Sequence, residues 1–357
     1  MSKTLAADLS AFAFELPERN IALRPVDPQD AARLLVVHGD GRLEDASIRD
    51  LPRYLNAGDV MVFNDTRVIP AALKGVRPAR NEDGSDVAVD VNLVERTSER
   101  DWLALARPGK RLKPGDQITF GSDLSAEIQE KRTDGELLLS FSVEGAALDE
   151  AIETVGAMPL PPYIARRRAA DASDRETYQT RFAAEDAQSV AAPTAGLHFT
   201  ERLLNEIDSA GIKRVQVRLH VGLGTFAPLK DEQIEAGKLH EEWRHIRPSV
   251  ATELNEARAS GQRCVAVGTT SLRTLESAAD PDGTIHAVTG PTDIFLQPGY
   301  AFRATDALVT NFHLPESSLF MLVCALMGTD IMQAAYAHAI AQDYRFYSYG
   351  DACLLLP

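Results

Sequence analysis

Val87–Glu95, VAVDVNLVE, alternates apolar and polar residues with a period of two, and four more runs of short strand character follow it closely. They are Trp102–Ala106 (WLALA), Asp116–Phe120 (DQITF), Ala126–Lys131 (AEIQEK) and Glu136–Val143 (ELLLSFSV). Between them lie Pro108–Asp116 (PGKRLKPGD) and Arg132–Glu136 (RTDGE), whose glycines, prolines and aspartates suit tight loops. Short strands separated by such turns predict a small antiparallel β-barrel or sheet over residues 71–150.

The flanks read differently. Before the β region come a strand (LLVVH, Leu34–His38), a helix-like stretch interrupted by Pro52 (SIRDLPRYL, Ser47–Leu55) and a strand (VMVF, Val60–Phe63). After Met158, strands alternate with helices to the end of the sequence, the pattern of an α/β layer domain. The predicted architecture is a layered α/β domain, residues 1–70 and 151–357, with this β-barrel or sheet inserted at 71–150. The chain leaves through Asn64–Pro70 and returns through Gly156–Ile164, where Pro159, Pro161 and Pro162 fix a stiff, extended path.

With 357 residues, 45% of them hydrophobic, the chain supports a sizeable core. Its longest apolar run, Leu319–Met327, falls short of the roughly 20 residues that span a bilayer, and so predicts a buried helix. The start of the sequence carries Lys3 but no long apolar segment of a secretory signal, so a cytoplasmic protein is expected. Cys264, Cys324 and Cys353 are far apart and form no Cys-x-x-Cys pair, which excludes a disulfide framework and an iron-sulfur cluster. No metal is expected. A net charge of -15 argues against indiscriminate coating of nucleic acid, which depends on phosphate neutralisation. Local basic footprints remain in Arg107, Lys110, Arg111 and Lys113 around one turn, and in Arg166, Arg167 and Arg168.

Three polar loops stand where apolar strands end and helices begin. Val190–Ala192 lead into Pro193, Thr194, Ala195 and Gly196, with a helix from about Thr200; Val265–Val267 lead into Gly268, Thr269, Thr270 and Ser271; Leu308–Thr310 lead into Asn311, Phe312 and His313, with Pro315 placed to start a helix. In open α/β sheets ligands bind beyond the carboxyl ends of the strands, where such loops meet. Backbone donors and three hydroxyls at Gly268–Ser271 suit a carboxylate or phosphate, although hydroxyl residues also cap helices for structural reasons alone. No Walker sequence follows. In Arg214–Val221 (RVQVRLHV) strand periodicity puts His220 on the polar face, just before Gly222 and Gly224. His198, His220, His240 and His313 are the acid-base candidates. Asn64, Asp65, Thr66 and Arg67 follow a strand at the junction with the insert, where a cleft would open.

Seven blocks, taken in order, closely resemble one family. They are FNDTRVIPA (Phe63–Ala71), MPLPPYI (Met158–Ile164), SVAAPTAGLHF (Ser189–Phe199), LHVGLGTF (Leu219–Phe226), AVGTTSLRTLES (Ala266–Ser277), DALVTNFHLPESSLFML (Asp306–Leu322) and YRFYSYGDA (Tyr344–Ala352). The chain resembles the S-adenosylmethionine:tRNA ribosyltransferase-isomerase family of queuosine biosynthesis from about Phe12 to Ala352. It departs from the family pattern at Gln29, where arginine is usual, and at Asp90–Glu95 of the insert.

The resemblance implies that the ribosyl part of S-adenosylmethionine is moved onto 7-aminomethyl-7-deazaguanine at the wobble position of a tRNA, giving epoxyqueuosine, adenine and methionine. It implies a cytoplasmic enzyme with an α/β domain bearing a β-barrel and no metal; S-adenosylmethionine is a substrate, and there is no prosthetic group. A monomer is expected. A sulfonium acidifies the adjacent C5' hydrogens of the ribose, adenine departs more easily with a proton donor, and the attacking amine must be neutral, so several acid-base groups are expected in one cleft. His198 and His313 are the leading pair, His220 the third, Glu316 and Asp65 possible partners, and Arg67 an orienting cation. Gly268–Ser271 would hold the methionine carboxylate, with Thr194, Gly196 and Asn311 in the same substrate crevice. Tyr163 or Phe312 would stack on a splayed base, packing in the core being the blander fate of Phe312. Two other classes compete: an S-adenosylmethionine-dependent RNA methyltransferase, which would leave S-adenosylhomocysteine, and a non-catalytic RNA-binding module carried by the β insert.

Overall fold

The computed structural model describes residues 9–81, 84–132, 135–184, 188–222, 229 and 231–357. Lys3, Thr133, Asp134 and Gly224, which entered the sequence reading, lie outside the described residues. In chain order the strands are β1 (Arg33–His38), β2 (Leu43–Ser47), β3 (Val60–Asn64), β4 (Arg67–Val68), β5 (Ala72–Arg77), β6 (Val87–Arg96), β7 (Asp101–Arg107), β8 (Gln117–Phe120), β9 (Leu124–Lys131), β10 (Leu137–Phe141), β11 (Gln188–Ser189), β12 (Lys213–Leu219), β13 (Lys238–Ile246), β14 (Cys264–Val267), β15 (Val288–Ile294), β16 (Ala307–Asn311) and β17 (Ala352–Leu356). The helices are α1 (Gly145–Val155), α2 (Pro162–Ala165), α3 (Asp174–Thr177), α4 (Glu201–Ser209), α5 (Asp231–Ala236), α6 (Pro248–Ala259), α7 (Thr269–Glu276), α8 (Ser318–Met327) and α9 (Thr329–Ala341). The chain divides into two compact units: Met1–Arg67, Thr180–Ala187 and Ala192–Pro357 form the first, Val68–Gln179 and Gln188–Ala191 the second.

The second unit holds a closed barrel in the order β10-β7-β6-β5-β8-β9. Alternation puts Val87, Val89, Val91 and Leu93 of β6 inside, with Ile118, Ile128, Leu139 and Phe141 from the neighbouring strands. Closure removes the unpaired edges that an open antiparallel sheet would expose. This unit runs past the expected boundary at 150. After α1, Ala157 exchanges backbone hydrogen bonds with Ala72 of β5 at 3.1 and 2.8 Å. Arg168 then makes a two-pronged bond to the buried Asp174, at 2.7 and 2.6 Å.

The first unit is built on a nine-stranded sheet, β15-β13-β12-β3-β14-β16-β17-β1-β2. Its centre, β12, β3, β14 and β16, is parallel, so the carboxyl ends of four neighbouring strands share one edge. Such strands are buried on both faces and read as continuous apolar runs: every residue of β3, β14 and β16 is buried. One core packs Met61, Phe63, Val265, Val267 and Val309 against Leu203, Leu204 and Ile207 of α4 and the Ile48–Tyr54 turn. That turn is 3-10 rather than α, with Pro52 inside it and Ser47 and Asp50 forming its capping box. At its start α4 is capped by Thr200, whose hydroxyl also meets the buried Asp30. Burial pushes the Asp30 carboxyl up, and bonds from Thr200, Arg49 and Arg202 outweigh it, leaving the group below the usual range.

Two local expectations are corrected. Val190–Ala192 are not a strand; only Gln188 and Ser189 pair before the turn at Pro193. Pro315 does not start α8, which begins at Ser318 because Ser317 is the residue whose hydroxyl accepts the free Phe320 N–H at 3.2 Å. Leu319–Met327 falls within α8, a helix with six buried residues. Among the described residues no single helix is long and apolar enough to cross a membrane.

Candidate active site

At the carboxyl edge of the parallel strands, Asn311 ends β16 and uses all of its amide. Its Nδ2 donates to His198 Nε2 and to the Tyr347 carbonyl, each at 3.2 Å, and its Oδ1 accepts from Thr194 Oγ1 at 3.0 Å. His198 lies on the 3-10 turn Thr194–His198 and is 5% exposed. With Nε2 accepting, its proton sits on Nδ1, which reaches the Gln29 backbone. The unusual Gln29 therefore touches the imidazole through its main chain, where side-chain identity matters little. Burial, aided by the Arg345 charge, pushes His198 down to about 4, so it is neutral at physiological pH. Tyr347 holds φ 75°, a left-handed conformation rare outside glycine, and presents its carbonyl to Asn311.

His313 is tied elsewhere. Its Nε2 meets Thr310 Oγ1 at 3.0 Å, its backbone N–H donates to Tyr336 Oη at 2.9 Å, and burial pushes its pKa down to about 3. Thr310 and Asn311 are consecutive in a strand and leave it on opposite faces. The two imidazoles are thus anchored to opposite faces of β16, not to each other. Phe312, between them, packs against Tyr336, Tyr344 and Phe346 in the core. Glu316 follows in the turn, exposed, with φ 54°.

The next strand ends supply four further groups. Asn64 closes β3 and fixes its own turn, accepting from the Thr66 and Leu219 N–H groups and donating to the Leu219 carbonyl. Asp65 forms a two-pronged ion pair with Arg218, Nε to Oδ1 at 2.8 Å and Nη2 to Oδ2 at 3.0 Å, with Arg247 at 4.0 Å. Arg67 is half-buried. Past β12, the ring of His220 lies 4.9 Å from Trp243.

Gly268, at φ 86° and ψ 151°, turns the chain from β14 into α7 and provides no side-chain cap. The first N–H groups of α7 therefore lack helical partners, and the buried hydroxyls of Thr270 and Ser271 lack partners too. Gly196 packs against Thr180, a Cβ there coming within 3.1 Å of Thr180 Cγ2. Sequence reasoning missed Arg218, Arg273 and Glu242. Arg218 shares the polar face of β12 with His220 and was legible there, whereas the buried pair Arg273–Glu242 joins α7 to β13 and left no signal in either segment.

Tyr163, Arg166, Arg167, Arg168, Lys110, Arg111 and Lys113 belong to the second unit. Lys110, Arg111 and Lys113 are exposed at a barrel turn, as are Arg166 and Arg167 beyond α2, while Arg168 is committed to Asp174. His240 is exposed on β13. Among the described residues no three potential metal ligands cluster.

An amide-held neutral imidazole and an uncapped helix start thus stand at the carboxyl edge of the parallel strands of an α/β fold. The chain belongs to the queuosine biosynthesis protein family, whose model matches residues 9–355. The S-adenosylmethionine:tRNA ribosyltransferase-isomerase of Hyphomonas neptunium is 71% identical over 350 residues, covering 98% of this chain and 100% of the relative. The protein of the same name from Methylorubrum populi is 56% identical, covering 97% and 98%. The crystal structure of an S-adenosylmethionine tRNA ribosyltransferase from Thermotoga maritima matches with 35% identity and a TM-score of 0.55, covering 97% of this chain and 100% of that one.

Proposed function

We propose that this chain transfers and isomerises the ribosyl moiety of S-adenosylmethionine onto 7-aminomethyl-7-deazaguanine in a tRNA, releasing adenine and methionine. End-to-end identity of 71% with a ribosyltransferase-isomerase carries the reading, and the site chemistry agrees with it. The uncapped start of α7, with Gly268, Thr269, Thr270 and Ser271, would receive the methionine carboxylate. His198 is the leading base for a C5' hydrogen: its Nε2 lone pair, which accepts from Asn311 Nδ2 in the free protein, would have to pass from that amide to the substrate, and the Gln29 backbone on Nδ1 would steady the imidazolium that forms. Asn311, Thr194 and Gly196 would place the ribose beside it. His313, fixed by Thr310, comes second, and His220 third; Glu316 would relay a proton to solvent. Asp65, held by Arg218, would orient the attacking amine, and Arg67 would balance charge there. On the second unit, Tyr163 would stack on a base, and Arg166, Arg167, Lys110, Arg111 and Lys113 would meet phosphates. Arg168, anticipated with them, is spent on Asp174 and is left out of the RNA footprint. A cytoplasmic monomer working without a metal completes the proposal.

Purified protein supplied with S-adenosylmethionine and tRNA carrying the deazaguanine should release adenine and methionine in equal amounts. S-adenosylhomocysteine in their place would establish a methyltransferase instead. Thr270→Ala should weaken S-adenosylmethionine binding about tenfold, as expected for losing a hydrogen bond to a charged group; unchanged affinity would remove α7 from the carboxylate site.

A further inference from the structure

Trp243 is 38% exposed, the only aromatic residue among the exposed large hydrophobic side chains of the described residues. It does not stand alone. His245, two residues along β13 and on the same face, lies nearly parallel to it, 5.9 Å away at 21°, and the ring of His220, just past β12, lies 4.9 Å away at 43°. His245 is steadied by Thr289, whose Oγ1 is 2.7 Å from Nδ1. Backbone pairing fixes the arrangement, since the His220 N–H donates to the Trp243 carbonyl at 2.9 Å.

β13 pairs with β12 only from Arg218 onward, and toward the other end of β12 its first half borders a groove of about 750 Å³ that none of these three rings lines. Lys213, Arg214, Gln216 and Arg247 line it, with Asp208 and Glu253. Cations outnumber carboxylates there in a chain whose net charge is -15. Asp208 is taken by Arg214 at 2.7 and 2.6 Å, while Lys213 is exposed without an ion-pair partner among the described residues. Arg247 connects the groove to the strand ends, its guanidinium 4.0 Å from Asp65.

We infer that Trp243 is the stacking platform for an unpaired nucleobase of the RNA substrate, with the RNA backbone continuing along β12 into the groove of Lys213 and Arg247 a few nucleotides further on. The inference rests on the proposal that the substrate is a tRNA. Single-stranded RNA is recognised by aromatic rings that take splayed bases and by cations that follow the backbone. A rigid indole on a strand offers such a face at little loss of side-chain freedom, and a groove of this size accommodates one nucleotide. A protein partner would meet the same tryptophan, but the cationic groove further along the same strand favours a polyanion.

The chain has two tryptophans, and Trp102 is buried. Adding an anticodon stem-loop RNA should therefore quench tryptophan emission through Trp243. Trp243→Phe should lose the quench yet bind labelled RNA within a few-fold of the parent, because a stacking ring remains. Trp243→Ala should bind at least tenfold more weakly, and the Lys213→Ala, Arg247→Ala double variant should show a shallower salt dependence by about two phosphate contacts. Parental binding and turnover with no quench, and an unchanged affinity in Trp243→Ala, would overturn the platform while leaving the ribosyl-transfer proposal standing. A parent that neither binds the stem-loop nor releases adenine from charged substrate would overturn both. Quenching by a protein partner, with none by RNA, would reassign the surface.

Discussion

His198 shows how one side chain carries both chemistry and folding. Burial holds it at about 4 in the folded protein, against an ordinary 6.5, so between those values the unfolded chain binds the extra proton. Stability is then lost as pH falls through that window, by about 3 kcal/mol for this group once pH is below 4. Urea midpoints measured from pH 7 to pH 4 should fall, and His198→Gln should flatten the fall; equal slopes would refute the assignment. His198→Ala should lower turnover roughly 100-fold or more. His220 and His313 were legible in the sequence because each follows a strand end, and His198 because it follows a Pro-Thr-Ala-Gly turn, but their partners were not. Nothing in Leu308–Leu319 reveals that Thr310 and Asn311 send His313 and His198 to opposite faces; that follows only from the pleat of a buried strand. Arg168 gives a second residue-scale lesson. The triple arginine reads as a surface run, yet Arg168→Ala would remove the two-pronged bond to the buried Asp174 and should lower stability by about 3 kcal/mol. Chemical denaturation of that single variant checks it, and an RNA-binding test should use Arg166 and Arg167 alone.

At the scale of the element, the turn from β14 into α7 depends on a backbone that only glycine adopts easily. Gly268→Ala at φ 86°, ψ 151° should cost about 1–3 kcal/mol and displace the start of α7. Reduced S-adenosylmethionine affinity with a lower unfolding midpoint is the expected result; a variant with both unchanged would show that the turn relaxes freely. Strands β3, β14 and β16 were plain in the sequence as short apolar runs next to turn residues, and β12 as an alternation of apolar and polar residues. The strand expected at Val190–Ala192 was not realised, since small apolar residues also fill a packed turn before Pro193. The start of α8 went to Ser317, whose hydroxyl satisfies a helix donor, rather than to Pro315, which satisfies none.

For the molecule as a whole, alternation in VAVDVNLVE and its successors was enough to foresee a small antiparallel barrel or sheet, because every second residue must face a common interior, and closure into a barrel was implied by the family resemblance. Leu139 is wholly buried there, and Leu139→Ala should destabilise the protein by about 2–5 kcal/mol. Less visible was the reach of the second unit to Gln179, which depends on Ala157 pairing with Ala72 and on the Arg168–Asp174 bond, contacts between residues without any local pattern. The account rests on one claim above these, that ribose and not methyl leaves S-adenosylmethionine for the RNA. Two parallel reactions, one with S-adenosylmethionine labelled in the ribose and one labelled in the methyl group, test it directly when incubated with tRNA bearing 7-aminomethyl-7-deazaguanine. Ribose label in the RNA and methyl label in free methionine is the predicted result. Methyl label in the RNA, with the ribose remaining in S-adenosylhomocysteine, would contradict it.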